Sequence, residues 1–221
     1  MDSNNHMTHT LRLCLVRHGE TSWNAEHRLQ GHTDIPLNAT GRAQAEATAA
    51  LLAEHRFDAA YTSDLARAAD TARAIGHRIG LIAHPLPALR ERHYGAFQGL
   101  TYEEAQARHP DDYALFKARH PDHPLPQGGE SLSAFARRIA DALDTLVQRH
   151  SGEQILVVAH GGVLDIIYRI ASGRPLSAPR DFRIPNAALN WLRHDAPARW
   201  SIEQWAEETH LGSARDELAN S

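Results

Sequence analysis

Arg17-His18-Gly19 and His160-Gly161-Gly162 each follow a nearly continuous apolar run, LRLCLV and ILVVA respectively. An imidazole can serve as nucleophile, acid or base near neutral pH. A guanidinium fork grips phosphate oxygens in pairs, and glycines let backbone N–H groups come close to a ligand. Taken singly, each histidine reads as a turn residue satisfied by backbone hydrogen bonds; together with Arg17 and the glycines, they read as a site. In Ser63-Asp64-Leu65-Ala66-Arg67 a helix begins, with Ser63 or Asp64 expected as its N-cap. Arg67 in the first turn would then point back toward the same place. The alternative pairs Arg67 with Asp64 and Asp70 on a solvated helix surface, where such pairs contribute little. Glu91, between Arg90 and Arg92, reads on spacing alone as a surface acid.

These residues need strands and helices to hold them. Short apolar runs alternate with helical patterns, which predicts an α/β domain with a mostly parallel sheet. Strands are expected over 11–16, 57–61, 81–84, 155–159, 188–193 and 201–205. The first and fourth are continuous rather than alternating, as in strands covered on both faces, and so belong at the sheet centre. Helices are expected over 41–56, 64–80, 102–107 and 163–171. The clearest pattern, Leu132, Phe135, Ile139, Leu143 and Leu146, repeats every three or four residues. In such a sheet ligands bind at the carboxyl ends of the strands. Neighbouring strands lie about 4.8 Å apart, so two histidines there can flank one small group. Residues 1–10 read as a loose leader, 11–207 as one domain and 208–221 as a tail. The polar, Pro- and His-rich stretch 109–129 reads as an insertion over the sheet edge at the active site rather than a second domain.

Composition narrows the function classes. The chain has one cysteine, Cys14, which excludes a disulfide scaffold and reads as a buried small hydrophobe. A net charge of −4 offers no basic field for nucleic acid. No apolar run reaches the ~18 residues of a membrane span, and the polar amino terminus does not resemble a signal peptide, so a cytoplasmic location is expected. Sixteen histidines invite a metal reading. However, His120 with His123, or His6 with His9, lack a third ligand at suitable spacing, and no metal is expected.

Six blocks occur in order: LVRHGETSWN (15–24), QGHTDIPLNATG (30–41), TSDLARAADTA (62–72), LRERHYGAFQGL (89–100), GGES (128–131) and VVAHGG (157–162). Together they resemble the histidine phosphatase superfamily, the cofactor-dependent phosphoglycerate mutases and their phosphatase relatives. The resemblance implies a three-layer fold, a mixed and mostly parallel sheet between helices. It implies His18 as the nucleophile that becomes phosphohistidine, and Arg17, Arg67 and protonated His160 as the phosphate pocket. By the same resemblance Glu91 is the proton carrier at the leaving oxygen, and Asn24, Gln30, Gly31 and Gly161 line the rim. Arg92, His93 and Tyr94 are further candidates for substrate contact, and His32 for the rim.

The same site serves two reactions. The insertion is short and lacks the paired arginines of the mutases, having only Lys117 and Arg119 as cations, and little chain remains for a closing tail. These features favour a phosphomonoester hydrolase acting on a small phosphorylated metabolite without a cofactor. The block Glu91-Arg92-His93-Tyr94-Gly95 looks like the mutase version and keeps open a mutase primed by 2,3-bisphosphoglycerate. A non-catalytic phosphate-binding module would require a broken site, yet all five central residues are present. An edge strand could support a homodimer.

Overall fold

The structure, a computed structural model, describes residues 10–195, 199–212 and 216. Residues 1–9, including His6 and His9, and parts of the expected tail lie outside this range. Six strands, β1 (Thr10–Arg17), β2 (Ala59–Thr62), β3 (His84–Pro85), β4 (Gln154–Ala159), β5 (Leu189–Asp195) and β6 (Arg199–Glu207), form one sheet ordered β3-β2-β4-β1-β5-β6. The pairs β1/β4, β2/β4 and β2/β3 are parallel, whereas β1/β5 and β5/β6 are antiparallel. The chain thus builds β2 and β3 before inserting β4 between β2 and β1. That insertion makes the two apolar runs direct neighbours, with Arg17 opposite Ala159. The two histidines therefore leave the sheet side by side.

Helices cover both faces, as expected: α1 (Ser22–Ala25), α2 (Ala39–Leu52), α3 (Ala66–Ile79), α4 (Tyr102–Arg108), α5 (Pro110–Lys117), α6 (Leu132–Arg149) and α7 (Gly161–Ser172). Leu11, Leu13, Leu15, Ile155 and Val157 face α6 and α7, while Cys14, Val16, Leu156 and Val158 face α2 and α3. This alternation explains the continuous apolar composition of β1 and β4, since both sets of side chains are buried. Burying each such Leu, Ile or Val favours the fold by about 1.5–3 kcal/mol. Cys14 is fully buried as expected, and burial raises its thiol pKa far above the ordinary value.

The structure fills in one segment that the sequence left open and corrects one local expectation. Within the 109–129 insertion, residues 110–117 form a helix, α5. Pro110 begins it, Asp111 and Asp112 lie in its first turn and Lys117 in its last, each favourable there. Its Tyr113 and Phe116 join a third apolar cluster with Tyr94, Phe97, Leu100 and Leu125. The N-cap of α3 is Leu65, not Ser63 or Asp64. The Ala66 N–H goes instead to Asp34 Oδ1, at 2.7 Å, because Asp64 is drawn into a bidentate pair with Arg90 at 2.7 and 2.5 Å.

Candidate active site

At the carboxyl ends of β1 and β4 the rings of His18 and His160 meet edge to face, with centroids 5.2 Å apart. His18 Nδ1 lies 2.7 Å from the Gly19 carbonyl oxygen. The proton must sit on Nδ1 to make that bond, so the Nε2 lone pair is left for a ligand. Gly19 is required where it stands: a Cβ there would lie 2.3 Å from the Gly41 carbonyl oxygen of α2. The same loop is tied down by Thr71 Oγ1, which accepts from the Gly19 N–H at 3.0 Å, and by Asn186, which donates to the His18 carbonyl at 3.0 Å.

Arg17 and Arg67 are almost wholly buried. Arg17 Nη1 donates to the Ile184 carbonyl at 2.7 Å. Arg67 donates to the carbonyls of Thr33 and Gly31 at 2.9 and 2.8 Å, so the alternative pairing with Asp64 and Asp70 does not occur; Asp70 pairs with Arg73. Gly31 presents this carbonyl with φ +54°, and a Cβ there would meet the Gln98 side chain at 2.3 Å. Burial lowers the Arg67 pKa to about 10, which leaves it charged at neutral pH. Both histidines are shifted downward as well. Burial, with Arg67 and Arg17 beside them, holds His18 and His160 well below the usual imidazole pKa. The expected protonated His160 is therefore corrected to a neutral imidazole in the ligand-free site. The positive charge belongs to the arginines.

Glu91 is buried and not a surface acid. Its Oε1 accepts from the Arg92 N–H at 2.8 Å and its Oε2 from the Gly162 N–H at 2.9 Å. Burial nevertheless dominates and raises its pKa above the ordinary carboxylate range. Gly162 cannot carry a side chain, since a Cβ would lie 2.2 Å from Glu91 Oε1. The backbone around Glu91 is gripped from α6: Arg138 donates to the carbonyls of Ala88, Arg90 and Glu91 and pairs with Glu130 at 2.7 Å.

Arg17, His18, Asn24, Gln30, Gly31, Arg67, Glu91 and Tyr94 line one pocket, together with Arg28, Leu29 and Tyr102. His160, fully buried, is not among the residues lining this pocket, and Gly161 opens α7 beside it. Arg92 lies in an adjoining cavity instead. His93 is brought to neither wall. Its N–H is taken by Glu130 at 2.8 Å and its ring packs on His32, 4.8 Å between centroids. Among the described residues no group of three or more His, Cys, Asp or Glu is placed to hold a metal, and His123 pairs with Asp112.

Ser63 was missed as a site residue. Its Oγ lies 2.8 Å from His160 Nε2, whereas His160 Nδ1 is buried with no hydrogen-bond partner among the described residues. Since Ser63 Oγ also accepts from the Leu65 N–H, at 3.3 Å, its own proton is free to go to Nε2. That places the imidazole proton on Nδ1, which has no hydrogen-bond partner among the described residues. Ser63→Ala is therefore expected to lower kcat/KM about tenfold, the order of one lost hydrogen bond, and to alter the pH profile as His160 loses its fixed tautomer. A folded S63A protein with unchanged rate and profile would remove Ser63 from this role.

Comparison with known proteins agrees with this geometry. A family model described as "Histidine phosphatase superfamily (branch 1)" matches residues 13–208. The chain is 42% identical over 201 residues to "Phosphoglycerate mutase-like protein 4" of Arabidopsis thaliana, covering 90% of this chain and 86% of that one. It is 40% identical over 203 residues to the "Metal-independent phosphoserine phosphatase" of the same plant, covering 91% and 83%. Among solved structures, Bacillus stearothermophilus YhfR superimposes with a TM-score of 0.84 at 30% identity, covering 91% of this chain and 99% of that one. With its paired histidines, buried arginines and matched sequence, the chain belongs to the histidine phosphatase superfamily.

Proposed function

We propose that the protein is a phosphomonoester hydrolase working through a phosphohistidine. In the first step His18 Nε2 bonds to phosphorus as the phosphorus–oxygen ester bond breaks, and Glu91 gives its proton to the departing alkoxide. In the second, Glu91 takes a proton from water as the water oxygen bonds to phosphorus, and the P–N bond breaks to release inorganic phosphate. Arg17 and Arg67 balance the charge on the equatorial oxygens, the main requirement of phosphoryl transfer. His160 Nδ1–H is a further donor. The observation that carries this reading is the pinned Nδ1 of His18, which commits Nε2 to attack between two buried guanidiniums.

Hydrolysis is favoured over mutase action because the insertion offers no free arginine pair. Its single Arg119 is spent on Asp165 Oδ2 at 2.6 Å and on the Leu176 carbonyl at 2.8 Å. A mutase primed by 2,3-bisphosphoglycerate is the second reading, favoured by Arg92 and Tyr94 in the adjoining cavity. Phosphate release from several phosphomonoesters, measured beside mutase turnover with 2,3-bisphosphoglycerate, tests both. Hydrolysis is expected to dominate and to survive EDTA undiminished, since the charge is met by side chains. Efficient mutase turnover with negligible hydrolysis would overturn the phosphatase reading, and loss of activity in EDTA would overturn the metal-free one.

A further inference from the structure

The segment 180–188 holds the nucleophile loop at three points. The Ile184 carbonyl accepts from Arg17 Nη1 at 2.7 Å, the Ala187 N–H donates to the Arg17 carbonyl at 2.9 Å, and the Asn186 side chain donates to the His18 carbonyl at 3.0 Å. Ile184, Asn186 and Ala187 are wholly buried, yet the segment forms neither helix nor strand. Its backbone groups must therefore find partners one by one, and its position depends on what those partners are.

Asp216 is one of them. Its Oδ2 accepts from the Ile184 N–H at 2.8 Å, and its Oδ1 accepts from Arg180 Nη2 at 3.1 Å. Ile184 is thus gripped on its N–H side by Asp216 and on its carbonyl side by Arg17. The Arg180–Asp216 pair is shut away from water, its side chains only 1% and 6% exposed. A second tie to the same segment, from Glu208, ends on the exposed side chain of Arg183 instead of on the backbone.

The two ties differ in what they can transmit. A solvated ion pair contributes little, whereas a buried carboxylate with both oxygens engaged holds its partners to one geometry. Arg17 has to meet the equatorial oxygens closely, because a donor displaced by about 1 Å loses most of its effect on the transition state. We propose that Asp216 is a positioning residue for phosphoryl transfer, fixing the backbone at Ile184 and, through the Ile184 carbonyl, the place where the Arg17 guanidinium meets the phosphoryl group. The proposal rests on the phosphatase reading for the use to which Arg17 is put. It assigns a task to a residue beyond the six motif blocks, in the stretch that carries no pattern of its own.

The test compares two double variants of the full chain, Arg180→Met with Asp216→Asn and Arg180→Met with Asp216→Leu. Both remove the buried charge pair together, which avoids stranding one charge. They differ in that asparagine keeps an acceptor for the Ile184 N–H and leucine does not. Hydrolysis of p-nitrophenyl phosphate reads the rate. Calorimetric binding of orthovanadate, which takes up the five-coordinate geometry of a transferring phosphoryl group, reads the pocket without turnover. The leucine variant is expected to fall about tenfold below the asparagine variant in kcat/KM and in orthovanadate affinity, the order of one lost hydrogen bond, with thermal unfolding used to show that both are folded. In an Arg17→Lys background the difference should shrink to less than about twofold, since residues that act through one another are not additive. Equal rates and affinities in the folded pair would overturn the proposal, and so would an undiminished difference in the Arg17→Lys background. Should the leucine or the lysine variant not fold, the single changes Asp216→Asn and Glu208→Gln decide: a loss of about tenfold for the first and less than twofold for the second is expected, and equal losses would overturn the proposal. Orthovanadate binding that depends on residue 216 in a protein without hydrolytic activity would sustain the proposal and overturn the phosphatase reading. Hydrolysis indifferent to residue 216 would do the reverse.

Discussion

Replacing His18 with alanine is expected to cut phosphate release from every phosphomonoester by roughly 10⁴-fold or more, the scale of losing a covalent nucleophile. No neighbour is equipped to replace it. His160 Nε2 is engaged by Ser63, and burial pushes the Tyr94 phenol well above its ordinary pKa, so it stays protonated. Arg17 and Arg67 remain to bind phosphate, and the variant should therefore retain affinity while losing turnover. The direct check is a phosphoenzyme trap. Wild-type protein quenched during turnover should carry a label that is lost in acid and stable in base, as expected of a phosphorus–nitrogen bond. His18→Ala should carry none. A label that survives in the variant would move the nucleophile elsewhere, with His160 the first residue to test.

How much of this was legible depends on how far apart the partners lie. The strands β1 and β4 were visible because burial on both faces writes itself into a continuous apolar run. The helix α6 was visible because Leu132 through Leu146 keep a period of three and four. The adjacency of β1 and β4 was not visible from pattern, because a strand inserted between two earlier ones leaves no local mark; the ordered motif blocks supplied it. Helix α5 was hidden by its polar composition, with only Tyr113 and Phe116 to mark an apolar face. Its Pro110, paired acids and terminal lysine were the signal that could have found it. Ser63 looked like a helix cap because its true partner, His160, is 97 positions away. In the string from Arg92 to Tyr94 the residue types alone could not show that Arg92 and Tyr94 face a cavity while His93 turns away. The backbone there is oriented by Glu130 and Arg138, which come from another segment.

Glu91→Gln carries the second large effect, and its sign differs between the two half-reactions. With its pKa raised, Glu91 is protonated over a wider range than an exposed carboxylate. Release of a poor leaving group such as an alkoxide needs that proton, so kcat/KM for an alkyl phosphate should fall as pH rises through the Glu91 pKa. His18 imposes no competing loss near neutrality, because its own pKa is depressed and the imidazole is already neutral. Hydrolysis of the phosphohistidine needs the opposite form. For p-nitrophenyl phosphate, whose leaving group departs without a proton, the second step limits, and kcat should fall as pH drops through the same pKa. Glutamine is nearly isosteric and can still accept from the Arg92 or Gly162 N–H, but it can neither give nor take the proton. The variant should lose about 10²–10⁴-fold in kcat/KM on alkyl phosphates. On p-nitrophenyl phosphate it should still form the phosphoenzyme quickly and then stall, showing a burst of nitrophenol equal to the enzyme concentration. Both pH limbs should flatten together. An unchanged limb in the Gln variant would assign the proton to another group, and the absence of a burst with rapid steady turnover would show that water attacks without help from Glu91.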